Sequence, residues 1–342
     1  MIEVELLPDK VRRYLNDDFE TLDLNRYYRL DDPQDRPNGV RLRIPEEMEK
    51  HGRVSVTVKE EGGKIPFCER VFPEGKVDML LYNLCPGRVY RADYSAEDGS
   101  ASHERFATSP TLPRMLYVDG IRNVRDCGGW RAEGGGLREG ILFRGSEMNL
   151  IGNHGIELTE QGRKTMCREL RIRTDIDLRN EEEAGHIAES PLGASVRYER
   201  KPVLGYMDLF KEEFNDTLRE IFLLLAERKN YPVYLHCWAG ADRTGTLVAI
   251  LKAALGVSFE DITRDFEIST FSVFGLRGRC NRDFTYPEVF EYLKTAYPAP
   301  SLKARARRYL AEKVGIGDRV FDQIASILIR KEKGGAHEKN HS

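Results

Sequence analysis

The stretch "PVYLHCWAGADRTGTLVAILKAALG" runs from Pro232 to Gly256, and its reading decides the fold. It begins with a short apolar run, Val233 to Leu235, and ends with an apolar segment of helical length that stops at a glycine. Between the two lie a single cysteine, Cys237, a bend of small residues, Ala239, Gly240 and Ala241, and an arginine, Arg243. A strand that turns directly into a helix is the unit of an α/β sheet, and a reactive loop in such a sheet sits at the strand's carboxyl end. The N–H groups of the bend converge with the helix dipole on one point, which suits an anion. Small side chains let the backbone approach closely, and Arg243 supplies a planar, two-pronged donor for a tetrahedral oxyanion. The same donors favour negative charge on the sulfur of Cys237, the form in which a thiol is a nucleophile. Thr244 is placed to donate a hydrogen bond to that sulfur. A lone cysteine at a strand end is usually just a small buried hydrophobe, but these surroundings argue for chemistry.

Working outward, strands and helices alternate from Pro113 onward. "GGGLREGILFRGSEMN" holds a strand bounded by glycines, and "LTEQGRKTMCREL" a helix opened by Thr159 as N-cap. "IRTDIDLRN" and "SVRYERKPV" read as strands, and "FNDTLREIFLLLAERKN" as a helix with apolar residues at three-and-four spacing. Helices continue through Pro300 to Ile329, and the charged tail 332–342 reads as disordered. Upstream the pattern is different. From Arg53 to about Thr108 the runs "RVSVTVKE", "VDMLLYNLCPGRVYRADYSA" and "HERFATS" have period two and are separated by turn residues, the pattern of a β-sandwich. Asp17 to Gly39 reads as loop.

At 342 residues the chain is long enough for two domains, expected at 1–112 and 113–331. Its 53 basic and 56 acidic residues leave a net charge of −3, so there is no global field to hold nucleic acid or an anionic membrane. Any anion chemistry must be local. The six cysteines are scattered, with no metal-ligand spacing and no disulfide framework, so neither a metal nor a cofactor is expected. There is no basic-then-apolar leader and no apolar run long enough to span a bilayer. The expectation is a soluble, cytoplasmic protein, or an exported one if a leader has been removed.

Residues His236 to Gly245 resemble the H-C-x-x-G-x-x-R-[ST]-G signature of cysteine-dependent protein tyrosine phosphatases. Asp242 before Arg243 gives the G-x-D-R-T-G form, which is similar to that of bacterial tyrosine/lipid phosphatases and to the loop of myotubularin lipid phosphatases. Asn123 to Gly129, Leu142 to Ser146 and Asp177 to Arg179 are similar to three further segments of the bacterial group, extending the resemblance over roughly 119–328. The resemblance implies an α/β phosphatase domain with a central sheet flanked by helices. In the upstream part, Leu84 to Tyr90 resembles the tyrosine corner of fibronectin type III domains, which implies a preceding all-β sandwich of that kind.

For the chemistry, the resemblance implies hydrolysis of a phosphomonoester through a phosphocysteine intermediate, with no metal. Cys237 would be the nucleophile, and Arg243 with the amides of Trp238, Ala239, Gly240 and Ala241 the phosphate cradle. The family's general acid follows the strand two elements before the cysteine, which places it in "KPVLGYMD" at Asp208. Asp242 is the alternative, by analogy with myotubularins. His236 is expected to orient the loop, and Arg125, Asp126 and Asp177 to hold the scaffold. Cys127 reads as packing, with a resolving thiol as the alternative. Trp238 is either a pocket wall or packing beneath the loop. Arg277, Arg279 and Arg282 form either a solvated face or a rim that attracts acidic substrates.

The expected partner is a phosphorylated protein or a small phosphomonoester, while the β-sandwich's partner is not specified by the sequence. Ala241 stands where lipid-active bacterial members carry lysine, which favours phosphotyrosine over phosphoinositides or inositol phosphates. A phosphate-binding module without turnover is the reading from a different class, and the intact Cys237, Arg243 and Thr244 argue against it.

Overall fold

The computed structural model describes residues 1–63, 67–149, 156–279 and 285–331. Arg282 and the tail 332–342 lie outside the described residues, so the expectations attached to them are not addressed below.

Period-two alternation builds the amino-terminal part. Its strands are β1 (Ile2–Val4), β2 (Val40–Arg43), β3 (Val54–Glu60), β4 (Cys68–Val71), β5 (Asp78–Leu81), β6 (Val89–Ala96) and β7 (Ala101–Thr108). Five of them form a sheet in the order β1-β7-β6-β3-β4, and β2 pairs with β5 in a second, two-stranded sheet. Val54, Val56 and Val58 on β3 and Tyr90, Ala92 and Tyr94 on β6 point inward, where Leu42 and Leu81 of the second sheet complete the core. The Tyr90 hydroxyl accepts a hydrogen bond from the Cys85 N–H at 2.9 Å, tying the Pro86-Gly87 turn to the strand that follows it. β1 and β4 are too short to show a period, and β2, which alternates Val40 and Leu42 inward with Arg41 and Arg43 outward, was not read from the sequence either.

The second part holds β8 (Arg125–Asp126), β9 (Arg131–Ala132), β10 (Gly135–Leu137), β11 (Leu142–Gly145), β12 (Thr174–Asp177), β13 (Arg197–Arg200), β14 (Val233–His236) and β15 (Ile329–Arg330). The central sheet has the order β13-β12-β14-β11-β8, parallel throughout except for β8. β14 lies in its middle, flanked on both sides, and all four of its residues are buried. The helix that follows β14 is buried from Thr244 to Leu255 and ends at Gly256 with φ +83, a left-handed stop suited to glycine. β15 returns the chain to β10, joining the carboxyl-terminal helices to the small sheet β15-β10-β9.

The helices are α1 (Asp9–Asn16), α2 (Glu160–Lys164), α3 (Glu181–Ala184), α4 (Asn215–Leu225), α5 (Asp242–Leu255), α6 (Phe259–Glu267), α7 (Tyr286–Ala296), α8 (Leu302–Glu312) and α9 (Asp318–Leu328). Thr159 caps α2 by accepting from the Gly162 N–H, as its sequence position implied. α6 and α7 were not read from the sequence, although Ser258 caps α6 by accepting from the Asp261 N–H at 3.1 Å, and they pack Ile262, Phe266, Tyr286 and Phe290 into the same core as α5.

Residues 7–38 form a strap. Leu7, Val11, Tyr14 and Leu24 pack against Met115, Ile268 and Phe271, and the Tyr14 hydroxyl donates to Glu267 at 2.8 Å. By sequence this strap lies between β1 and β2 of the β unit, but by packing it belongs to the α/β part. No helix among the described residues is long and apolar enough to cross a membrane.

Candidate active site

The bend from Cys237 to Arg243 leaves the carboxyl end of β14 at the middle of the sheet, and its shape is fixed from outside. The Trp238 carbonyl accepts from the Glu147 N–H at 3.0 Å, and the Ala239 carbonyl from Asn123 Nδ2 at 3.0 Å. The Gly240 carbonyl accepts from an Arg144 Nη at 2.8 Å, and the Ala241 carbonyl from the Gly245 N–H at 2.8 Å. A trans peptide points its C=O and N–H in opposite directions, so fastening these carbonyls outward turns the N–H groups of Ala239 to Asp242 inward. The result is a ring of donors built before any anion arrives. Gly240 adopts φ +65, and a Cβ there would lie 2.1 Å from the Gly145 carbonyl oxygen, so only glycine fits.

The groups that fasten the loop are themselves buried. Arg144 is fully buried and pairs with Asp265 at 2.9 Å, and Arg125 pairs with the same carboxylate at 3.1 Å. Asp265 is held far below the usual carboxylate range, because Lys252, Arg125 and Arg144 outweigh the effect of burial. Asp126 receives the N–H groups of Gly128 and Gly140 at 2.8 and 2.6 Å. Asp177 accepts from Arg179 at 2.9 and 2.6 Å and from the Tyr198 hydroxyl at 2.9 Å, so Arg125, Asp126 and Asp177 are all built into the scaffold. Asn123 is held by the Asp35 carboxylate of the strap, which accepts its N–H at 3.0 Å and the Ser272 hydroxyl at 2.5 Å. The sequence had assigned Asp35 to a loop of no stated role.

His236 ends β14 with Nε2 2.9 Å from Asp175. Burial pulls its pKa down, but Asp177 and Asp175 prevail and raise it above the ordinary imidazole value. Cys127 is buried in the core, and burial pushes its thiol up to about 12, as befits packing.

At the mouth of the loop, Arg243 forms a two-pronged pair with Glu183 at 2.5 and 2.8 Å and also interacts with the Cys237 sulfur. Burial disfavours the charge on Arg243, but Glu183 and Cys237 reverse this and hold the guanidinium above its ordinary value. Glu183 is doubly fixed, since it also closes the Asn180 capping box of α3. The N-x-x-E spacing of that box was legible in the sequence, but its pairing with Arg243 needed the fold. The Thr244 hydroxyl is buried and has no hydrogen-bond partner among the described residues. Trp238 is half-buried, with its ring 5.5 Å from Phe274.

The segment after β13 lies directly on the loop. Gly205 sits so close that a Cβ would be 3.1 Å from the Arg243 nitrogen. Tyr206 adopts φ +55, a conformation costly for a bulky residue, and its N–H donates to Thr246 Oγ1 at 2.9 Å. Its hydroxyl donates to Asp242, which also receives Arg277 at 2.7 and 3.3 Å. Burial and the Asp242 charge keep the Tyr206 phenol protonated, hence a donor. Asp208 is exposed and pairs with Lys211 at 2.7 Å. Of the arginines expected at the rim, Arg277 reaches the loop. Arg279 instead lies over the Phe19 ring at 3.5 Å, pairs with Glu267 at 3.6 Å and so clamps the strap. Among the described residues, no group of three or more His, Cys, Asp or Glu side chains is arranged to hold a metal ion.

The model of the tyrosine phosphatase family matches residues 116–329. The triple specificity protein phosphatase PtpB of Mycobacterium tuberculosis is 33% identical over 119 residues, covering 33% of this chain and 42% of that protein. The chain thus spans less than half the length of this curated relative. The core catalytic domain of the PP-IP phosphatase SIW14 from S. cerevisiae, solved in complex with citrate, covers 56% of this chain and 93% of its own at 15% identity. Its TM-score is 0.28, a likeness too slight to argue from.

Proposed function

Since the chain belongs to the tyrosine phosphatase family, we propose that it hydrolyses phosphomonoesters, phosphotyrosine foremost, through a phosphocysteine at Cys237. The observation that carries this reading is the outward fastening of the loop carbonyls, which aims the intervening N–H groups at the place an anion would occupy beside Cys237 and Arg243. The Cys237 sulfur attacks phosphorus in line, and the bond to the leaving oxygen breaks. The loop amides and Arg243 stabilise the three equatorial oxygens in the transition state. Arg243 exchanges Glu183 for the phosphate as substrate enters. Water then attacks the phosphocysteine, inorganic phosphate leaves, and the Thr244 hydroxyl donates to the departing sulfur. The positive charge this chemistry requires is supplied by Arg243 and backbone dipoles, so no metal is needed.

The seat of Asp242 favours it over Asp208 as the acid that protonates the leaving oxygen. Asp242 lies in the loop itself, oriented by Tyr206 and Arg277, while Asp208 pairs with Lys211 at the surface. A carboxyl group beside a bound phosphate dianion tends to hold its proton, the form in which it can donate to the leaving oxygen. Removing a general acid costs ~10²–10⁴-fold in rate on a poor leaving group and far less on an activated one. Asp242→Asn is therefore expected to slow hydrolysis of a phosphotyrosine peptide far more than of p-nitrophenyl phosphate. If Asp208→Asn alone shows that split, the acid is Asp208.

The amino-terminal β unit is proposed as a fibronectin type III-like module on the strength of its two facing sheets and the Tyr90–Cys85 bond. The parallel pairing of β1 with β7 is a departure from a purely antiparallel sandwich. The test of the enzymatic reading is hydrolysis of p-nitrophenyl phosphate in excess chelator by the wild type and by Cys237→Ser. Turnover by the wild type and none by the variant is expected. Equal rates would mean that hydrolysis does not pass through Cys237, and no hydrolysis by either would leave only a phosphate-binding module.

A further inference from the structure

The parallel strands β11, β12 and β14 end at the catalytic loop, and their amino ends open onto a separate cleft of about 760 Å³. Ile141, Arg173 and Pro232, the residues just before these strands, form its floor. At ~3.3 Å per residue, four-residue strands place it roughly 13 Å from the loop, at the opposite end of the sheet. Glu60 and Arg88 of the β unit form one wall, and Ile327 in the last turn of α9 and Arg330 of β15 another.

Six arginines line this cleft: Arg88, Arg138, Arg171, Arg173, Arg228 and Arg330. Three glutamates oppose them, but each is already engaged: Glu60 and Glu139 with Arg88, both at 3.4 Å, and Glu169 with Arg70. Arg171, Arg173, Arg228 and Arg330 are exposed, and none makes a side-chain ion pair among the described residues. The Nε of Arg138 is buried without a hydrogen-bond partner. Crowding like charges around one concavity costs folding free energy and is relieved when an anion enters. The planar forks of several guanidiniums suit phosphate oxygens, and a cleft of this volume takes more than one phosphate group.

We propose that this cleft binds a small polyanion carrying several phosphates, which bridges the β unit and the base of the catalytic sheet. The site is independent of the hydrolytic one, and its ligand need not be a substrate. A free polyphosphorylated molecule and a phosphorylated lipid headgroup share the chemistry it selects.

The test is calorimetric titration of the full chain, with its catalytic loop saturated by vanadate, using inorganic tripolyphosphate. Co-sedimentation with vesicles containing phosphatidylinositol bisphosphate is the lipid arm. One tripolyphosphate per chain is expected to bind despite the vanadate. A hydrogen bond to a charged partner is worth about tenfold or more in affinity, so Arg173→Ala/Arg228→Ala should weaken binding at least about tenfold. Arg228→Ala/Arg330→Ala, which leaves the residue before β12 intact, should do the same. Both variants should hydrolyse p-nitrophenyl phosphate at the wild-type kcat/KM. Binding to vesicles but not to tripolyphosphate, weakened in the same variants, would identify the headgroup as the source. No binding to either probe once vanadate is present, or equal binding by wild type and both variants, would overturn the proposal.

Discussion

The two ends of the central sheet treat their arginines in opposite ways. At the carboxyl end, Arg243 is matched to Glu183, Arg277 to Asp242, and Arg179 to Asp177 at 2.6 Å and to Glu147. At the amino end, Arg171, Arg173 and Arg228 make no such pairs among the described residues. The difference separates two ways of meeting an anion. A site that must stabilise a transition state needs donors fixed before substrate arrives, because reorganising them during reaction would add to the barrier. A site that only binds can leave its cations loosely held and let the ligand order them.

Substitutions at the carboxyl end should therefore act on rate, and those at the amino end should not. The largest expected loss is from Gly240→Ala. The added Cβ cannot keep its place 2.1 Å from the Gly145 oxygen, so the donor ring should open and activity fall towards that of Cys237→Ser. A steady-state assay beside a circular dichroism spectrum checks that the loss precedes any loss of fold. Arg243→Lys keeps the charge but not the fork, and kcat should fall by ~10²–10³-fold, the scale for losing one aligned transition-state donor. Retention of near-wild-type kcat would mean that the planar geometry has no part in catalysis.

Asp35→Ala probes the strap. It leaves the Asn123 N–H, the Ser272 hydroxyl and Arg122 without their carboxylate, and should destabilise the fold by ~1–3 kcal/mol in urea titration. Activity should also fall, because Asn123 holds the Ala239 carbonyl. A stability loss without any change in rate would detach the strap from the site.

The smallest effect concerns pH. His236 is raised from the ordinary 6.5. The charged imidazolium beside Asp175 and Asp177 therefore contributes fully below that value and loses its contribution as pH rises through the higher folded value. The stability difference between wild type and His236→Gln should shrink as pH climbs above 6.5. A difference that grows with pH would contradict the pairing.

Legibility in the sequence followed locality. The strand, bend and helix from Pro232 to Gly256 could be read because each signal lies within a few residues of the next. The Thr159 cap and the Tyr90 corner were readable for the same reason. What could not be read depends on long-range pairing. Glu183 meets Arg243 from 60 positions away, and Asp35 reaches Asn123 across 88. Arg279 looked like part of a basic rim, and only the fold shows its guanidinium lying on Phe19, 260 positions earlier. Asp208 fitted the expected place after β13, but the side chain from that segment that touches the loop is Tyr206. A glycine followed by a tyrosine in the left-handed conformation gives no periodic signal.

The central claim is that phosphorus is transferred to the sulfur of Cys237. Its most direct test is mass spectrometry of protease digests after acid quench of turnover with p-nitrophenyl phosphate. A phosphoryl adduct on the peptide holding Cys237, absent from Cys237→Ser together with all turnover, is the predicted result. Turnover that persists in Cys237→Ser, or an adduct found only on another residue, would contradict it.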